Sequence, residues 1–340
     1  FNPDINSGKG IFGLPHGADE ALVSIIPVPW DLTASYRKGS ANGPQAVYNA
    51  SFQLDLFREY APDFWKSGIH MLQIPEKLKN DAQGLINEVD VVVEAYNEGR
   101  LDEDKIAEFT GTINDACFIM NQYVYELSLN IINNKQIPVV LGGDHSVPLG
   151  LITALSETNE SFGILHIDAH ADLRKAYQGF LFSHASIMFN ALNLNSVSQL
   201  VQVGVRDYCR EEDHRIRNSR GRIICYSDRY LQHEQFEGTP WQELVAGIIA
   251  SLPAKVYVSF DIDGLNPLYC PNTGTPVPGG PTLEQITFLL EGICESGRII
   301  IGADICEVAP DPNQHNEWDA NVGARALLDM CMYIIQSNKR

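Results

Sequence analysis

The sequence predicts an α/β protein of three layers, an α/β/α arrangement with helices on both faces of a mainly parallel sheet. Three observations carry the expectation. Short apolar runs bounded by turn residues alternate with stretches of helical spacing over most of the chain. Several runs, such as Ile137-Pro138-Val139-Val140-Leu141 and Val256-Tyr257-Val258, are apolar without a break, as in strands covered on both faces. No stretch of the 340 residues reads as a linker, so a single domain is expected over 21–340, behind an N-terminal arm over 1–20.

The arm is rich in Gly, Pro, Asn and Asp, has no periodicity and reads as extended. The first strand is Ala21-Leu22-Val23-Ser24-Ile25-Ile26, broken by Pro27 and Pro29. After a polar loop over 31–42, Gly43-Pro44 opens a helix running to about residue 60. Proline suits a first turn because the N–H it lacks has no helical partner there. A short strand is expected at 69–74, then helices at 84–98 and 113–134. Further strands are expected at 137–141, 162–167, 199–204, 222–226, 255–260 and 298–303. Crossover helices fall near 147–157, 184–193, 240–250, 282–295 and 320–336.

The formal charge of −19 repels nucleic acid and anionic membranes, so neither is an expected partner. The seven cysteines are odd in number and form no CxxC pair, which points to reduced thiols in a reducing compartment. No apolar run reaches the ~18 residues of a membrane span, no signal peptide is visible, and a cytoplasmic location is expected.

The chemistry lies where strands end. Leu141 precedes Gly142-Gly143-Asp144-His145-Ser146, Ile167 precedes Asp168-Ala169-His170-Ala171-Asp172, and Phe260 precedes Asp261-Ile262-Asp263. In open parallel sheets, ligands bind beyond the carboxyl ends of the strands. In extended chain alternate side chains share a face, so Asp168, His170 and Asp172 can point to one site, and Asp261 repeats the spacing with Asp263. Two imidazoles with four carboxylates suit Mn²⁺ and leave Ni²⁺ or Fe²⁺ open. Such a donor set balances two divalent ions, which at ~3.5–4 Å separation activate a hydroxide at neutral pH. The expectation is a hydrolase.

At these motifs the chain resembles the ureohydrolase family of arginases and agmatinases, and the segments Pro29-Trp30-Asp31-Leu32-Thr33 and Asn316-Glu317-Trp318-Asp319-Ala320-Asn321-Val322-Gly323-Ala324-Arg325 resemble its agmatinase-like subgroup that includes guanidine hydrolases. The likeness runs from about Ile25 to the C-terminus and includes Ser259-Phe260-Asp261-Ile262-Asp263-Gly264-Leu265-Asn266-Pro267. It implies a sheet of eight parallel strands, a dinuclear Mn²⁺ or Ni²⁺ centre, and a homo-oligomer, trimer or hexamer. By the same resemblance His145 and Asp172 bind one ion, His170 and Asp263 the other, and Asp168 and Asp261 bridge both. Glu307 would grip the guanidinium through paired N–H bonds. His184 would carry a proton to the leaving amine, with Asp263 as a second route, and an ordinary histidine pKa near 6.5 suits that duty. Asp144 reads either as an orienting group or as a turn cap, and Asp304 as a supporting neighbour.

The substrate is less determined. Arginases carry a short polar residue where this chain has Arg174, which argues against arginine. An inward Arg174 would also disfavour the ammonium of agmatine, leaving guanidinobutyrate, formimidoylglutamate or free guanidine. An outward Arg174 restores agmatine. Trp30, Tyr36 and Trp318 are candidates to fill the tail pocket and stack on a flat cation. A very small guanidinium compound, guanidine itself, is the favoured substrate. The rival classes are a single-zinc deacetylase, disfavoured because no His-His pair occurs, and a non-catalytic regulatory relative that kept the fold.

Overall fold

The computed structural model describes residues 9–99, 103–313 and 315–339. Its strands are β1 (Val23–Val28), β2 (Ile69–Met71), β3 (Ile137–Gly142), β4 (Phe162–Ile167), β5 (Val197–Val203), β6 (Ile223–Tyr226), β7 (Lys255–Asp261) and β8 (Ile299–Cys306). They form one sheet in the order β2-β1-β3-β8-β7-β4-β5-β6, and every neighbouring pair is parallel. The helices are α1 (Gly43–Ser51), α2 (Glu76–Gln83), α3 (Ile86–Glu98), α4 (Glu103–Asn133), α5 (Leu149–Thr158), α6 (Ile187–Ala191), α7 (Arg210–Asn218), α8 (Asp228–Phe236), α9 (Trp241–Ala250), α10 (Leu283–Glu295) and α11 (Trp318–Ser337).

Alternation along the strands divides the core into two layers. Val139 and Leu141 pack with α1, α10 and α11, whereas Val140 between them packs with α4 and α5. Helix α4 presents Ile106, Ile113, Cys117, Met120, Val124 and Ile131, a stripe at spacings of three, four and seven that keeps one face on the sheet. Among the described residues no helix is long and apolar enough to cross a membrane.

Several expectations are corrected. Pro27 does not break β1 but pairs in register with Leu141. Its ring faces the side where the edge strand β2 has already ended at Met71, so no ladder donor is missed. The first helix stops at Ser51 rather than near residue 60. Residues 1–8 of the arm lie outside the described residues, and the part that follows is not free. Ile11, Phe12 and Leu14 are buried in the layer that holds α1 and α11, because an apolar triplet in a Gly-rich segment still gains by leaving water. Helices α2, α7 and α8 are not among the expected elements; in α7, Arg-Glu-Glu-Asp-His-Arg-Ile-Arg-Asn offers no apolar period to read.

The feature that positions the site is the sheet order. The strands that end in the four sequence motifs, β3, β8, β7 and β4, are consecutive neighbours at the sheet centre.

Candidate metal centre and cleft

The turn after β3 runs against the loop after β1. The amide of Asp144 donates to Trp30 O (2.8 Å), and a Cβ on Gly143 would stand 1.9 Å from that same carbonyl oxygen, so only glycine fits. This packing delivers His145 to the centre of the crevice, fully enclosed. Its Nδ1 lies 3.0 Å from Asp168, 3.2 Å from Asp172 and 3.4 Å from Asp261. Its Nε2 lies 2.9 Å from the Ser259 hydroxyl and 3.5 Å from Asp304. A partner on Nε2 takes up that N–H and leaves the Nδ1 lone pair facing the carboxylates, the arrangement a metal-binding histidine needs.

Asp168 divides its two oxygens. Oδ2 faces His145 and also lies 2.8 Å from His166, while Oδ1 lies 3.4 Å from His170 Nδ1. His170 Nδ1 is 3.1 Å from Asp263 Oδ2. Two ligand-quality groups therefore share one carboxylate: His145, His166, Asp168 and Asp172 in the first, Asp168, His170 and Asp263 in the second. Asp261 adjoins the first through Oδ2, and its Oδ1 accepts from the amide of Asp263 at 2.9 Å.

The electrostatics suit cations. Burial, then the charges of Asp263 and Asp168, push Asp261 well above the usual carboxylate range. Burial and the neighbouring Asp168 likewise raise Asp172 to about 6. Against their own burial, His145 and His170 are pulled upward by the surrounding aspartates, His170 to about 12. The surrounding carboxylates therefore favour positive charge beside both imidazoles, and the donor set fits a dinuclear centre.

Asp172 and Glu307 both hold left-handed backbone, with φ of 54° and 63°. For residues other than glycine this costs on the order of 1–3 kcal/mol and is a recurrent mark of functional positions. Glu307 is fixed by its amide on Gly143 O (2.7 Å) and by Thr273 Oγ1 on its carbonyl (2.9 Å). Its Oε1 accepts from the amide of His145 at 3.1 Å. Burial, then Asp144 and Asp263, raise its pKa well above normal. Asp144 itself accepts from Thr33 N (3.1 Å), Thr33 Oγ1 (2.8 Å) and Ser146 N (3.1 Å), so it orients the neighbouring loop and caps its own turn at once.

A cleft of about 170 Å³ opens above the cluster, lined by Ser35, His170, Asp172, Arg174, Tyr177, His184, Ala185, Asp207, Tyr208, Glu212 and Thr275. His184 lies on its wall. Burial, assisted by the charge on His170, pushes its pKa down to about 4, so the ring is neutral near pH 7 rather than poised near 6.5. Arg174 is also on the wall, 5.0 Å over the Tyr177 ring and 3.8 Å from Glu212.

The two tryptophans do not line the cleft. Trp30 is buried in the layer beside α4, its indole against Cys117, because the loop after β1 turns into the protein there. Trp318 is half exposed at the start of α11 and donates to Leu268 O at 2.9 Å. Sequence reasoning missed His166, Ser35, Tyr177 and Glu212. His166 had a signal, since the spacing of two extends back from Asp168.

A parallel sheet whose central strand ends converge on carboxylates and imidazoles defines a metal-dependent hydrolase of α/β/α architecture. Residues 21–333 match the model of the Arginase family, and the chain belongs to that family, whose members hydrolyse amidines. Among relatives it is 31% identical over 302 residues to the N(1)-aminopropylagmatine ureohydrolase of Thermus thermophilus, spanning 89% of this chain and 87% of that protein. It is 28% identical over 325 residues to the agmatinase of Halalkalibacterium halodurans, spanning 95% and 96%. The fold is shared with the agmatine ureohydrolase of Thermoplasma volcanium at a TM-score of 0.72, 22% identity and coverage of 96% and 94%. It is shared with the proclavaminate amidino hydrolase of Streptomyces clavuligerus at 0.72, 19% identity and 97% of each chain. The chain is a ureohydrolase acting on guanidino compounds.

Proposed function

We propose that this ureohydrolase prefers a very small guanidinium substrate, free guanidine foremost, and converts it to urea and ammonia. The observation that carries the reading is Arg174 on the cleft wall. A substrate ending in ammonium would lie against a fixed positive charge there. A cleft of about 170 Å³ is small for a ligand pocket, which suits a short molecule.

His145 and Asp172 would hold one divalent ion, His170 and Asp263 the second, with Asp168 and Asp261 between them; Mn²⁺ or Ni²⁺ agrees with the oxygen and imidazole donors. When bound, such ions supply a nucleophilic hydroxide at neutral pH. Glu307, buried among carboxylates, would take the planar cation through paired N–H bonds and stabilise it as the carbon becomes tetrahedral. His184, neutral at working pH, would accept a proton and return it to the leaving nitrogen, and Asp263 is the second route.

A second reading, agmatine or aminopropylagmatine, is favoured by Asp207 and Glu212 on the same wall and by the substrates named for the relatives above. One assay separates them. The protein is loaded with Mn²⁺ or Ni²⁺, offered guanidine, agmatine, aminopropylagmatine, guanidinobutyrate, arginine and formimidoylglutamate, and monitored for urea and formamide. Guanidine should give the highest kcat/KM. A higher value for agmatine would replace the first reading with the second. A homo-oligomer, trimer or hexamer, in a reducing cytoplasm is supported by the family resemblance and the free thiols; a monomer in light scattering would exclude the assembly.

A further inference from the structure

We infer that Ser35 is a positioning residue that fixes the ring of His184 for proton transfer; the inference rests on the catalytic reading of His184. Ser35 Oγ stands 3.3 Å from His184 Nε2, and both residues line the cleft. The other ring nitrogen, Nδ1, is buried and has no hydrogen-bond partner among the described residues. Tyr177 meets the ring only edge-on, with centroids 5.9 Å apart. A neutral imidazole carries one proton, and its tautomer follows the hydrogen bond made by one nitrogen. On this ring that bond is to Ser35.

The loop that carries the hydroxyl is itself held. Two residues earlier, Thr33 gives Asp144 both its amide (3.1 Å) and its hydroxyl (2.8 Å). The same Thr33 hydroxyl accepts the backbone amide of His184 at 3.2 Å. At the far side of the loop, Asp31 accepts the amides of Gly39 (2.8 Å) and Ala41 (3.3 Å). Asp144, which is not among the grouped cation donors, therefore ties the backbone of His184 and the loop of Ser35 to one buried carboxylate. With both backbones fixed, Ser35 Oγ is left to set the ring torsion, which is otherwise broad for histidine.

The test is a double-mutant cycle on the metal-loaded enzyme, with metal content measured beside activity. Ser35→Ala should lower kcat roughly tenfold, the share of one hydrogen bond worth about 1.4 kcal/mol. KM should stay within about twofold and bound metal should be unchanged, because no cation donor is touched. Ser35→Thr keeps the hydroxyl and should recover most of the loss. Added to His184→Asn, Ser35→Ala should cost nothing further, since the two act as a unit. An unchanged kcat in Ser35→Ala, a loss that Thr does not recover, or losses that multiply in the double variant would each overturn the inference. Full activity in His184→Asn would instead overturn the underlying role of His184.

Discussion

Removing Asp263 tests the cluster most directly. Its Oδ2 lies 3.1 Å from His170 Nδ1 and 3.3 Å from Thr275 Oγ1, and its Oδ1 accepts the amide of Ala169 at 3.1 Å. Asp263→Ala deletes a buried charge and orphans the Ala169 amide, which alone costs about 1–3 kcal/mol of stability. Asp263→Asn keeps one carbonyl oxygen for that amide and should fold nearly as well as the parent while remaining a poor ligand. Losing a group that only supports a ligand weakens metal affinity ~10–100-fold. Losing the ligand itself should exceed that, costing more than about 2.7 kcal/mol at the His170 position, the equivalent of a ~100-fold weakening. His145, Asp168 and Asp172 stay intact, so one ion should remain. The assay is metal per chain by elemental analysis after dialysis, paired with urea release and urea-induced unfolding. Both variants should hold one ion and release no urea above background, and only the alanine variant should be destabilised. Two tightly held ions and full turnover in Asp263→Ala would refute the reasoning.

Three further outcomes are expected. Arg174→Ala should raise the kcat/KM of agmatine relative to guanidine by roughly tenfold, the effect of removing a like charge worth about 1–2 kcal/mol; an unchanged ratio in competition would show that Arg174 does not set preference. Arg58 Nε lies 2.7 Å from Asp329 on α11, both mostly shielded, so Arg58→Ala should lower unfolding free energy by about 1–3 kcal/mol in a urea titration, and adding Asp329→Asn should recover part of it. The pKa of His184 is depressed to about 4, so its contribution is complete above the unfolded value near 6.5 and is lost as pH falls toward 4. That predicts a decline of up to about 3 kcal/mol in metal-free protein over this window, flattened in His184→Asn; identical pH profiles for the two proteins would contradict it.

Much of the sheet was readable because strands buried on both faces leave unbroken apolar runs. β4 spans Phe162–Ile167 as expected, and β3 and β7 each differ by one residue at the C-terminal end. The spacing of two brings Asp168, His170 and Asp172 to one site, whereas the pairing of His145 with Asp172 (3.2 Å) and of His170 with Asp263 (3.1 Å) was expected from the family resemblance alone. What escaped was information carried by tertiary packing. An exposed tryptophan and a buried one look alike in a loop, and only the inward turn after β1 separates Trp30 from Trp318. Glu212 caps the amide of Cys209 (2.9 Å) and reaches back to the amide of Leu173 (3.0 Å), a contact across 39 positions with no local signature. His184 looked like an ordinary titrating histidine because burial, which depresses it, is invisible in sequence.

The sheet order also makes the cluster depend on cations for its stability. β3 and β4 follow one another in sequence, yet β8 and β7 lie between them. That separation is about 14 Å at the usual strand spacing, although His145 and Asp168 meet at 3.0 Å above it. The two motifs bend over the ends of β8 and β7 toward a place where Asp261, Asp263 and Glu307 are also buried. Carboxylates gathered this way repel one another unless positive charge is present. Protons on the histidines supply part of it in the metal-free protein, and divalent ions would supply more. The unfolded chain has no such site, so bound ions should stabilise the fold by about 2.7 kcal/mol at a free concentration a hundred times Kd. The melting temperature should therefore climb with added Mn²⁺ or Ni²⁺ and collapse on chelation. Asp263→Asn should show a clearly smaller rise. Equal rises in parent and variant would mean that the stabilising ions bind elsewhere on the acidic surface.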